Sequence, residues 1–142
     1  MSTTHFRELE VWRLSMELAK SVYELTAAFP REERHGLASQ LQRAAVSIPS
    51  NLAEGNARHS TRDYARFVAI ACGSVAELQT RLQLAADLDI ASPEAVTAIL
   101  GTSESVGRML YRLHQSLVAR LEARSPVPGP RSRISETAEE YR

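Results

Sequence analysis

The sequence predicts an all-α protein, an antiparallel up-down-up-down four-helix bundle with a disordered C-terminal tail. Two observations carry this. Apolar residues recur every three or four positions through four long stretches, with proline and glycine punctuating the joints. No stretch shows a convincing strand pattern, and short connections between long helices favour an antiparallel bundle. The 142 residues suit one domain over 1–124, with 125–142 as the tail.

The first helix lies within the run from Arg7 to Ala28, which holds neither glycine nor proline and stops before Pro30. At about 100° per residue, Val11, Leu14, Leu18, Val22, Leu25 and Phe29 share one stripe. Trp12, Met16, Ala19 and Tyr23 form a second stripe beside it. The combined apolar arc, roughly 220° wide, exceeds what one neighbouring face requires. Such a helix is either unusually buried within the monomer or also meets another subunit. Val11, Trp12, Met16, Ala19 and Tyr23 are therefore the candidate subunit interface.

The second helix is expected from about Glu33 to Ala57, with Leu37, Leu41, Ala44, Ile48, Leu52 and Gly55 inward. Pro49 removes one backbone hydrogen bond, but the stripe keeps its phase on both sides, which predicts one kinked helix. Ser60 and Asp63 suit the start of the third helix as N-cap and dipole partner. That helix runs to about Leu88, through Tyr64, Phe67, Ile70, Ala71, Ser74, Val75, Leu78, Leu82 and Ala85. Ser92-Pro93-Glu94 reads as the cap and first turn of the fourth. Its stripe of Val96, Ile99, Ser103, Val106, Leu110, Leu113, Leu117 and Leu121 approaches a heptad seam. The Ser-Pro-Val-Pro-Gly-Pro run from Ser125 cannot continue a helix.

Composition bounds the function. Seventeen basic residues balance seventeen acidic ones, which argues against a strong global pull toward nucleic acid and leaves a local patch open. All the basic residues except Lys20 are Arg, a bias that suits phosphate or carboxylate recognition but also follows from a GC-rich genome. The single cysteine, Cys72, sits among small helical residues and reads as core. No signal peptide or apolar membrane span stands out, so a soluble cytoplasmic protein is expected. Phosphate-binding glycine loops, paired-cysteine metal spacings, His-Glu-x-x-His and nucleophile elbows are all missing, and Glu8, Glu17, Glu54, Glu77 and Glu122 are each followed three residues later by something other than His. The expectation is a non-enzymatic protein with no catalytic residues, cofactor or metal.

Two polar features remain. Gln40, Arg43, Ser47, Asn51, Glu54 and Arg58 form a polar stripe beside the apolar face of the second helix. A fold-back near Arg58 would set Arg43 opposite Gly73 and Glu77 opposite Gln40, pairing Arg43 with Glu77 among Ser47, Asn51 and Ser74. A network fixing helix register is the plainer reading, and a binding site the alternative. Bundle topology also gathers Arg58, His59, Arg62, Arg66, Arg120 and Arg124 at one end, against a more acidic opposite end. These six are the candidate RNA-binding residues, an arginine-bearing helix end being suited to a phosphate backbone.

Three segments carry a resemblance. Phe6-x-x-Leu9-x-Val11-Trp12 comes first, then Phe29-Pro30-x-Glu32-Glu33-x-x-Gly36-Leu37-x-x-Gln40-Leu41-x-Arg43-Ala44-Ala45-x-Ser47-Ile48-Pro49-x-Asn51-x-Ala53-Glu54-Gly55. The third is Ile70-Ala71-x-Gly73-Ser74-x-x-Glu77-Leu78. Together they resemble the 23S rRNA intervening-sequence protein family of bacterial four-helix bundle proteins, over about residues 6–121. The resemblance implies an up-down bundle that assembles as a homopentameric ring. It also implies a fold similar to the accessory protein of diversity-generating retroelements, which partners a reverse transcriptase and RNA. The expected function is a non-enzymatic oligomeric bundle that binds structured RNA or an RNA-protein complex. The alternative is a scaffold that recruits a protein such as a polymerase without touching RNA. No membrane partner is expected.

Overall fold

The structure, a computed structural model, describes residues 4–124. A 3-10 turn at Phe6–Glu8 leads into α1 (Glu10–Ala27), and a second at Arg31–Glu33 precedes α2 (Leu37–Ala57). Two more helices follow, α3 (Thr61–Asp87) and α4 (Pro93–Ala123). Each helix packs against its neighbours in the order α1–α2–α3–α4–α1.

Cross-helix contacts make the order antiparallel. Gln42 Nε2 donates to Thr26 Oγ1 between α2 and α1, and Gln79 Nε2 donates to Ser103 Oγ between α3 and α4. Between α2 and α3, the hydroxyls of Ser47 and Ser74 meet. The predicted up-down-up-down bundle is the observed fold. The tail expected at 125–142 lies outside the described residues.

Helix boundaries follow local chemistry. Ser60 Oγ accepts from Asp63 N, and Ser92 Oγ accepts from Ala95 N with Pro93 following it. At the end of α3, Asp89 adopts φ 58°, while Ile90 N–H returns to Ala85 O and Asp89 N–H to Ala86 O. This closes the helix as a Schellman motif without the glycine usually found there. The start of α2 falls later than expected, because Gly36 at φ −104°, ψ −113° separates the 3-10 turn from the helix. α2 runs unbroken through Pro49, which is buried.

The core is aliphatic and small. Leu18, Val22, Leu41, Ile48, Leu52, Val68, Leu78, Leu82, Val106, Leu110 and Leu117 are wholly shielded from water. Burying side chains of this size is worth about 1.5–3 kcal/mol each before the entropy of ordering is subtracted. Ile70, expected to face inward, is 45% exposed, and the core position at that level belongs to Ala71.

α2 and α3 approach closely at Gly55. A Cβ there would lie 2.7 Å from Phe67 Cβ and 3.3 Å from the Tyr64 carbonyl oxygen. Glycine is the residue that permits this backbone approach, and the approach places the end of α2 beside the first turns of α3.

Candidate nucleic-acid interface

The bundle end formed by the N-terminal turn, the α2–α3 joint and the last turns of α4 is built on buried polar anchors. Asn56, itself buried, donates through Nδ2 to Thr4 O at 2.8 Å and to Tyr64 Oη at 3.3 Å. One amide thus ties the N-terminal segment to α2 and α3. His5 accepts from Arg7 N–H through Nδ1 and stacks on Phe6, with ring centroids 4.5 Å apart. Phe6 meets Trp12 edge-on at 5.2 Å, which docks the turn onto α1.

Phe67 holds two of the arginines. The Arg58 guanidinium lies 5.2 Å and that of Arg66 5.1 Å from its ring centroid. Each such contact contributes about 0.5–1 kcal/mol at an exposed site and narrows the orientations the side chain samples. Arg58 also pairs with Glu54 at 3.1 Å, and Arg66 reaches Asp63 at 4.0 Å. Both pairs are well exposed and each contributes under about 0.5 kcal/mol, so an incoming anion can displace them at little cost.

Beside these arginines opens a cavity of about 550 Å³ lined by His5, Phe6, Asn56, Ala57, Arg58, His59, Ser60, Thr61, Tyr64 and Arg120. Arg58, His59 and Arg120 are exposed at its mouth, whereas Asn56 and Tyr64 are buried. Burial pushes the Tyr64 hydroxyl above its usual pKa, and the Asn56 hydrogen bond and the Arg120 charge partly oppose that rise. Arg120 lies in the last turn of α4, where the negative helix end favours a cation.

Of the six candidate RNA-binding residues, the structure gathers Arg58, His59 and Arg120 around this cavity. Arg62 and Arg66 are exposed in the first turns of α3, and Arg124 is exposed at the C-cap of α4. His5, Phe6, Asn56 and Phe67 were not read from the sequence as parts of the site. The available signals were an aromatic pair just before α1 and an amide four residues beyond Leu52 on the inward face of α2.

The polar stripe divides. Ser47 and Ser74 are 2.8 Å apart, Asn51 Nδ2 donates to Ser47 O and Oγ, and Ser74 Oγ donates to Ile70 O. Gln40, Arg43, Glu54 and Glu77 are exposed. The expected Arg43–Glu77 pair is not formed. Glu77 Oε2 instead lies 3.3 Å from Arg81 Nη1, which also donates to Gln40 O. The α2–α3 register is one helical turn away from a fold-back at Arg58, so Arg81 rather than Glu77 stands opposite Gln40.

The candidate interface on α1 also divides. Val11 and Ala19 are buried within the single chain and Trp12 is half-buried, while Met16 and Tyr23 are 46% and 49% exposed. Tyr23 borders a groove between α1 and α2 with Gln42, Arg43 and the exposed Val46. No helix among the described residues is long and apolar enough to cross a membrane.

No curated protein matches the chain. A solved structure described as a protein of unknown function from the S23 ribosomal protein family of Bacteroides thetaiotaomicron superposes with a TM-score of 0.69. Its sequence is 22% identical, and the match covers 73% of this chain and 97% of that one. Its likeness supports the bundle fold. Residues 7–112, most of the bundle, match the profile of 23S rRNA-intervening sequence proteins, and the chain belongs to that family.

Proposed function

We propose that this protein is a non-enzymatic, oligomeric bundle that binds structured RNA through the end carrying Arg58, His59, Arg62, Arg66, Arg120 and Arg124. The observation that carries the reading is Phe67 with the Arg58 and Arg66 guanidinium groups over its ring. Arginines held in place by an aromatic lose less freedom when they grip phosphate oxygens, and their forked donors match phosphate geometry. Assembly into a ring, which family resemblance suggests is pentameric, would repeat this end around an axis and multiply a modest charge per chain. Trp12, Met16 and Tyr23 are the α1 residues proposed to meet the neighbouring copy. A bacterial cytoplasm is the proposed setting.

The test is fluorescence anisotropy with labelled ribosomal RNA fragments from the source organism, comparing the wild type with the triple variant Arg58→Ala, Arg62→Ala, Arg66→Ala. The reading expects the variant to lose affinity by tenfold or more at low salt, on the order of 1.4 kcal/mol. Unchanged affinity removes the site assignment. The second reading, a scaffold that recruits a protein partner, is favoured by the exposed α1–α2 groove at Tyr23 and Val46. A nuclease-resistant pull-down that is lost on Tyr23→Ala would support it.

A further inference from the structure

The cavity beside the Phe67 arginines has features that gripping an RNA backbone does not require. Backbone recognition needs exposed cations, whereas this space is partly enclosed and reaches buried polar groups. Its volume of about 550 Å³ falls within the range of roughly 300–1,000 Å³ typical of small-molecule sites. None of its lining side chains is acidic, and Arg58 and Arg120 stand at its mouth with His5 and His59. That composition suits an anion. The His5–Phe6 stack offers an aromatic platform beside those cations, at a spacing typical of stacked rings. Deeper in, the buried Asn56 donates through Nδ2 to Thr4 O and Tyr64 Oη, which fixes the amide, and an amide oxygen can only accept, so a ligand N–H is the group it suits.

We propose that this cavity takes a single nucleotide. The base extends the His5–Phe6 stack, its N–H edge meets Asn56 Oδ1, and Arg58 and Arg120 hold the phosphate. Stacking on aromatic faces and guanidinium contacts to phosphate are the usual means by which unpaired nucleotides are held. The nucleotide can be a free monophosphate or an unpaired residue of an RNA chain; the inference rests on the RNA reading above for the second source only.

The experiment uses the full-length chain and isothermal titration with AMP, adenosine and inorganic phosphate. It adds anisotropy on two RNA hairpins that differ only by one bulged adenosine. Phe6→Ala and Arg120→Gln are compared with the wild type, and thermal melts check that each folds. AMP is expected to bind at least tenfold more tightly than phosphate or adenosine. Phe6→Ala should weaken AMP at least fivefold, and Arg120→Gln, which leaves the N-terminal turn untouched, should do the same. A bulged hairpin preferred over the paired one, with AMP competing and Phe6→Ala erasing the preference, identifies RNA as the source. AMP binding with neither hairpin bound keeps the cavity as a nucleotide site and removes the RNA reading. Both hairpins bound equally, with AMP no tighter than phosphate, overturns the nucleotide site and leaves backbone binding in place.

Discussion

Ser47 and Ser74 touch hydroxyl to hydroxyl at 2.8 Å across the seam between α2 and α3. Ser74 is buried and bonds back to Ile70 O, while Ser47 also accepts from Asn51. The contact marks the register that brings the end of α2 against Phe67. A double-mutant cycle on Ser47→Ala and Ser74→Ala should give a coupling of about 0.5–1.5 kcal/mol in urea denaturation. Additive effects would mean that the two hydroxyls act independently.

Gly55→Ala should destabilise the bundle by about 1–2 kcal/mol. Alanine gains about 1 kcal/mol in helix propensity over glycine, but its Cβ meets Phe67 Cβ and the Tyr64 backbone at distances that force the helices apart. Gly101 is the control, since a Cβ there meets nothing within 4 Å. Gly101→Ala should stabilise by roughly 0.5–1 kcal/mol. A Gly55→Ala protein as stable as the wild type in denaturant melts would contradict the close approach.

Arg43→Ala should change stability by less than about 0.5 kcal/mol, because the side chain is exposed and Glu77 already pairs with Arg81. A loss of several kcal/mol in urea titration would restore the buried Arg43–Glu77 pair that a fold-back at Arg58 predicts.

His114 on α4 should make stability pH-dependent. Burial holds its pKa below the ordinary 6.5, so the unfolded chain takes up the proton first as pH falls. Its neutral form contributes nothing extra above about pH 7. Stability is lost as pH falls below 6.5 and continues downward until the folded-state pKa is passed. Thermal melts from pH 8 to pH 5 should show this fall in the wild type and a shallower one in His114→Gln. Equal slopes for the two proteins would place the titration elsewhere.

Local chemistry was legible in the sequence and tertiary geometry was not. The caps at Ser60 and Ser92 formed as expected, because an N-cap depends on its next three residues. The inward stripe of α2 from Leu37 to Gly55 is buried throughout, because a 3.6-residue period is a property of one helix. An Arg43–Glu77 pair does not form because the register between α2 and α3 is a property of their packing, with Ser47 against Ser74 and Arg81 against Gln40, and not of either helix's own period. Phe67 as an arginine platform was hidden for the same reason, since Arg58 precedes it by a joint whose path no periodicity predicts. The bond from Asn56 to Thr4 spans 52 positions and has no local signature. The periodicity of α1 shows an apolar arc but not what covers it: the single chain buries Val11 and Ala19 and leaves Met16 and Tyr23 exposed.

Whether the arginine-bearing end grips RNA phosphates is read from the salt dependence of binding to a structured RNA. Each phosphate contact contributes about 0.7–0.9 to the slope of log affinity against log salt. The wild type should lose affinity steeply with salt, and Arg58→Ala and Arg66→Ala should each make the slope shallower by about one. No binding at low salt, or a slope unchanged by either substitution, would overturn the phosphate contacts.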